Sequence, residues 1–137
     1  MPYDTQPWKN APVYNPDDPV GTMRAFANFL IAGGLAKGQI WNFRVQMVHV
    51  GVGFKGGTLE CRFVGCAIGT GIALFGKDKW HDLTDKLMSP ASYNLIFNDA
   101  LEYGVDRHDI TPQMVGNKIL DYLDNKSNVN LEYIKFM

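Results

Sequence analysis

Residues 43–64, FRVQMVHVGVGFKGGTLECRFV, constrain this chain more than any other stretch, because period-two alternation flanks a glycine pair on both sides. Gly56 and Gly57 can both adopt the positive φ that a two-residue hairpin turn demands, so the segment is predicted to bend there. The pairing follows from the bend. Phe54 opposes Leu59, Val52 opposes Cys61 and Val50 opposes Phe63, which collects one apolar face and leaves His49, Lys55, Thr58, Glu60 and Arg62 on the other. On this register Cys61 points inward from mid-strand, as a small hydrophobe. A lone hairpin is marginal in water and needs a third strand or helical cover. The weak alternation of Val129, Leu131 and Tyr133 in the tail offers one such strand.

Helical cover is written on both sides of the hairpin. Asp18 followed by Pro19 is an N-cap with proline at the first helical position. Val20, Met23, Phe26, Ala27 and Leu30 then recur at helical spacing, which predicts a helix over 19–32 closed by Gly33 and Gly34. After Val64 the period lengthens. Gly65, Gly69 and Ala73 lie four apart and would form a strip of bare backbone on a helix. Each glycine costs such a helix about 1 kcal/mol relative to alanine, so a close tertiary contact must compensate. Further helices are predicted over 78–88, with Trp80, Leu83 and Leu87 on one side; over 90–103, after Ser89-Pro90; and over 112–124, after Thr111-Pro112.

The architecture expected is α+β: an N-terminal helix, a two- or three-stranded antiparallel sheet built on the hairpin, and a C-terminal helical cluster packed on the sheet. With 137 residues, the chain divides into an extended arm (1–17), one globular domain (18–125) and a tail (126–137). Five of the seven prolines fall in the first nineteen residues, among Tyr3, Trp8 and Tyr14. That arm either lies across its own core or docks a partner through those three aromatic rings.

Net charge is −1, from 13 basic and 14 acidic residues dispersed along the chain, so nothing collects phosphate backbones and nucleic acid is not an expected partner. The opening residues lack a basic start followed by an apolar core, and no apolar run approaches the ~20 residues of a membrane helix. A cytoplasmic chain without a membrane partner is the expectation, its two cysteines carried as reduced thiols.

Two glycine motifs resemble nucleotide loops and fail on context. GIALFGKD (71–78) ends in Asp78 where a phosphate loop needs a hydroxyl, and GVGFKG (51–56) leads into a strand instead of a helix. Metal ligation has only thin candidates, His81 with Asp85 and the cluster Asp106, His108 and Asp109. No metal or other cofactor is expected.

Cys66 carries the one catalytic reading. It falls at a predicted helix start, where unpaired amides and the helix dipole lower a thiol's pKa. On the expected register His49 lies nearly opposite Val64 and within reach as a base, with Asn98 or Asp99 to orient its ring. That set would make a cysteine-dependent hydrolase or transferase. Against it, free cysteine is among the most buried residue types, and packing is the weightier reading. Asn98 and Asp99, polar within LIFNDALEYG, are expected to turn one side chain inward and bond backbone in the 104–111 loop or at the next helix start.

The segments GGLAKGQ (33–39), GCAIGTGIAL (65–74) and NLIFNDALEYGVDRHDITPQMVGNKILDYLDN (94–125) together resemble a family of small bacterial and bacteriophage proteins of unknown function. In that family a Cys-x-x-Gly helix precedes an Asn-Asp pair, a threonine and a final amphipathic helix. The resemblance spans residues 21–125 and implies a phage or bacterial cytoplasmic origin, with no activity attached. The function expected is therefore non-enzymatic: a protein-binding accessory factor or inhibitor, with a protein partner or a second copy of itself. The alternatives are the cysteine enzyme and a small-molecule-sequestering module with a pocket near Asn98.

Overall fold

The structure, a computed structural model, describes residues 11–55 and 58–125. Along the chain come helix α1 (Pro19–Ile31), strands β1 (Gln39–Trp41), β2 (Met47–Lys55) and β3 (Thr58–Gly65), and helices α2 (Ala67–Phe75), α3 (Lys77–Leu87) and α4 (Pro90–Phe97). Two 3-10 turns (Ala100–Tyr103 and Arg107–Asp109) then lead to α5 (Pro112–Asn125). The mixed α+β class holds. The expected bend at Gly56 and Gly57, the arm residues Tyr3 and Trp8, and the tail 126–137 lie outside the described residues.

α1 begins and ends on its sequence signals. Asp18 accepts a hydrogen bond from the Gly21 amide at 2.9 Å and Pro19 fills the first turn. At the other end Gly33, at φ +85°, donates to the Leu30 carbonyl and Gly34 to that of Phe29, the paired bonds of a Schellman close. α5 crosses α1 at Gly116, where a Cβ would stand 2.6 Å from the Ala27 carbonyl oxygen. Only glycine permits that approach.

The central core is helical. Trp80 is wholly buried, with ring centroids 5.2 Å from Phe26 and 5.5 Å from Phe97, and its indole N–H donates to the Tyr93 hydroxyl at 3.1 Å. Gly71 makes room for that indole, since a Cβ there would lie 2.2 Å from it. Gly76, at φ +90°, turns α2 into α3. The glycines of GIALFGKD thus serve a helical corner, and residues 71–75 are helix.

The sheet has the order β1-β3-β2, with β1 parallel and β2 antiparallel to β3. Here two expectations are corrected. The sheet is mixed and not wholly antiparallel, because β1, three residues that no alternation marks, joins it parallel to β3 on the side that β2 leaves free. The hairpin register holds from Lys55↔Thr58 through Phe54↔Leu59 and Val52↔Cys61 to Gly51↔Arg62, then shifts so that Phe63 pairs with His49 and not with Val50. Val50 is the extra residue of a β-bulge. It moves His49 onto the side of buried Phe63, ring centroids 6.4 Å apart, and sets Val48 opposite Val64 on the outer side.

The expected helix 90–103 is also corrected, because it breaks after Phe97. Asn98 turns back to bond the Asn94 side chain at 3.0 Å. The Asp99 carboxylate accepts from the Leu101 amide at 2.9 Å, which opens the first 3-10 turn. Ser89 and Thr111 cap α4 and the first turn of α5 as expected.

The glycine strip is partly as read. Gly65 is the last residue of β3 and not helical, and Ala73 is exposed. Yet Gly65 and Gly69 do receive a close neighbour: a Cβ on either would stand 2.7 or 2.4 Å from the Gln46 carbonyl oxygen. Since that atom is backbone, Gly69→Ala is expected to lower the unfolding free energy by about 1–3 kcal/mol, although alanine favours helix by about 1 kcal/mol. Chemical denaturation measures this, and a stabilised variant would show that the 42–46 loop is free to withdraw.

Candidate functional site

Cys66 sits where the strand hands over to the helix. It is the N-cap of α2, at φ −89° and ψ −164°, as the sequence led one to expect. Its amide donates to the Val45 carbonyl at 2.7 Å, and the Asn42 amide donates to the Gly65 carbonyl at 3.0 Å, so the 42–46 loop is stitched over the junction. Phe43 from that loop is buried, edge-on to Tyr103 at 5.9 Å.

Gln39 closes the junction from the other side. Its amide nitrogen donates to the carbonyls of Gly65 and Cys66 at 3.0 and 3.2 Å. Its oxygen accepts from the Ala36 amide at 3.0 Å and from the fully buried Thr70 hydroxyl at 2.8 Å. β1, the end of β3 and the first turn of α2 are joined through one side chain.

The thiol enclosed by these elements is 1% exposed and free. The expectation of a lowered pKa is overturned. Burial pushes the Cys66 thiol up and outweighs the amides of Ile68, Gly69 and Cys66 itself, which favour the thiolate.

The other members of the catalytic reading have partners of their own. His49 is exposed and keeps its ring against Phe63, with which the bulge pairs it in place of the expected Val64. Asn98 and Asp99 are half-buried and spend their side chains on the helix break. Neither turns into the core, contrary to expectation, because local capping satisfies both. The metal candidates are likewise committed or apart. Asp106 caps the second 3-10 turn, Arg44 donates to His108 Nε2 at 3.0 Å, and His81 and Asp85 are exposed on α3. Among the described residues no three His, Cys, Asp or Glu side chains come together to hold a metal.

Tyr14, the described member of the aromatic arm, is engaged within the molecule. Its ring lies 6.4 Å from Phe75 with the Lys79 ammonium 5.8 Å above it, and its hydroxyl donates to the Asp82 carboxylate. That bond, with Lys86 at 3.0 Å, holds the Asp82 carboxyl below its ordinary range. At this residue the arm follows the reading in which it lies across its own core.

The feature that sequence reasoning missed is on the sheet's outer side. The register places Ile40 of β1, Val64 of β3 and Val48 of β2 directly in line. Ile40 and Val48 are each 51% exposed and Val64 is half-buried, so an apolar row about 10 Å long crosses all three strands. Its signal in the sequence is slight. Ile40 stands in a three-residue strand, and Val48 joins the row only through the bulge. Among the described residues no helix is long and apolar enough to cross a membrane. Comparison with family models, with curated proteins and with solved structures finds no match to this chain.

Two outcomes follow for the thiol. Iodoacetamide at neutral pH is expected to leave Cys66 unmodified in the folded protein and to alkylate it in denaturant, read by peptide mass. Rapid native labelling would contradict the seal. Because the folded pKa is raised, the stability associated with the neutral thiol is complete below its ordinary value of 9.0 and is lost as pH rises toward the folded value. The unfolding free energy is therefore expected to decline above about pH 9, by up to roughly 1.4 kcal/mol per pH unit, more steeply than that of Cys66→Ala. Parallel pH profiles for the two would refute it.

Proposed function

We propose that this chain is a non-enzymatic protein-binding module, a cytoplasmic accessory factor or inhibitor of the kind a bacteriophage directs at a host protein. The observation that carries the reading is the Ile40–Val64–Val48 row: contiguous apolar side chains left half in water across all three strands of the sheet. Burial of a whole β-branched or Ile side chain is worth roughly 1.5–3 kcal/mol, so covering this row would reward an occupant appreciably.

The row's shape suits an extended segment. It is narrow and lies on a small three-stranded sheet, which favours a partner strand with alternate apolar residues over a broad rigid surface. Against an enzyme stand the sealed thiol with its raised pKa and the dispersal of His49, Asn98 and Asp99. A nucleophile that solvent cannot reach has no means of attacking a substrate.

The immobilised full-length chain is expected to retain a bacterial protein that its Ile40→Glu/Val48→Glu variant fails to retain, with the variant's far-ultraviolet circular dichroism unchanged. Equal retention by both proteins, or retention by neither, would remove the row from this role.

A further inference from the structure

We infer that the outer side of the sheet takes an extended acidic peptide, with one large apolar side chain seated on Ile40, Val64 and Val48 and a carboxylate two residues along held by Arg62. The inference rests on the reading of that row as a docking face, and names the chemistry of the segment that fits it.

Alternation along β3 carries the assignment. Phe63 is buried, so Val64 and Arg62 on either side of it share the outer side, and Arg62 is exposed there. Neither neighbouring strand crowds it. Across from it on β2 stands Gly51. On the β1 side the ladder ends at Gln39↔Phe63, preceded by Gly38, whose carbonyl accepts the Phe63 amide at 3.0 Å. A guanidinium with glycine on both sides is open to approach from above, where its planar fork can bond both oxygens of one carboxylate.

The charge is also unspent. Arg24 and Arg44 have side-chain partners at 3.0 Å in Asp124 and His108, whereas among the described residues Arg62 has neither an ion pair nor a side-chain hydrogen bond. An exposed cation beside an apolar row selects a partner of opposite sign and disfavours a basic one.

Spacing sets the order of residues in the partner. Val64 and Arg62 lie two positions apart, about 6.8 Å, the interval at which an extended segment running along β3 presents alternate side chains. At the level of Val64, Ile40 and Val48 flank it on both sides, each 51% exposed, so the residue placed there is large and apolar. At the level of Arg62 the flanking glycines leave the cation alone. The pattern recognised is an apolar and an acidic residue separated by one position that faces solvent. Size agrees with a short segment, because a stable interface between folded proteins, two copies of this chain included, buries on the order of 800 Å² on each side, far more than three apolar side chains and one guanidinium offer.

The test selects binders for the immobilised full-length chain from a displayed library of random short peptides. The enriched peptides are expected to carry aspartate or glutamate two positions from a large apolar residue. Arg62→Gln is expected to retain the apolar preference and lose the acidic one, and Arg62→Glu to exchange it for lysine or arginine, both with unchanged far-ultraviolet circular dichroism. A synthetic peptide taken from the selection is expected to bind Arg62→Gln about tenfold more weakly than the parent chain. Absence of enrichment overturns the inference, as does an acidic preference without that spacing or one that Arg62→Gln leaves intact. The two readings fail separately. Apolar peptides without a carboxylate, lost in Ile40→Glu/Val48→Glu, would end the role of Arg62 and leave the row as a docking face. Acidic peptides that need Arg62 and ignore Ile40→Glu/Val48→Glu would end the role of the row.

Discussion

Gln39 uses all four hydrogen-bonding positions of one amide, on Ala36, Gly65, Cys66 and Thr70, and the arrangement of the molecule follows from that junction. Each bond contributes about 1 kcal/mol net, a modest sum. The larger effect is that one side chain joins three elements. Thr70 is fully buried, and the Gly65 and Cys66 carbonyls, which accept the Asn42 and Thr70 amides, each take a second donor from Gln39. A parallel strand of three residues holds its place beside β3 because its first residue satisfies these groups.

The handover from β3 to α2 is tight for a second reason. The 42–46 loop must cross from β1 past the end of β3 to begin β2, and it does so with the Gln46 carbonyl against Gly65 and Gly69. A side chain at either glycine would lift the loop. With it would go the Val45 carbonyl that receives the Cys66 amide and the Phe43 ring that packs on Tyr103. The sealed thiol, the glycine spacing and the order of strands are thus one packing solution. Cys66 is buried because the 42–46 loop crosses over it.

Local signals in the sequence translated well into structure. The Asp18-Pro19 start and the twin-glycine close of α1, the Ser89 and Thr111 caps, the buried side of α3 and the far half of the hairpin ladder each depend on residues within a few positions of one another. The features that escaped depend on distant parts of the chain. β1 is a strand only because β3, more than twenty residues later, lies beside it. Asn98 reads as easily inside a helix as at its end until the packing of the 3-10 turn decides. The helix start predicted an activated thiol at Cys66, but the loop folded over it sets the dielectric, and burial wins. His49 was misplaced for one reason alone, a single extra residue at Val50.

That extra residue divides the hairpin into two stretches with opposite parity. Beyond the bulge a residue's side is given by one count, and below it by the other. A lineage that deleted this single codon would turn the ladder regular without moving a side chain across it, because Gly51 would still oppose Arg62, His49 would oppose Phe63 and Val48 would oppose Val64. The outer row would survive the shortening, and a gap at this position in an alignment would mark a straightened strand that presents the same residues on each side.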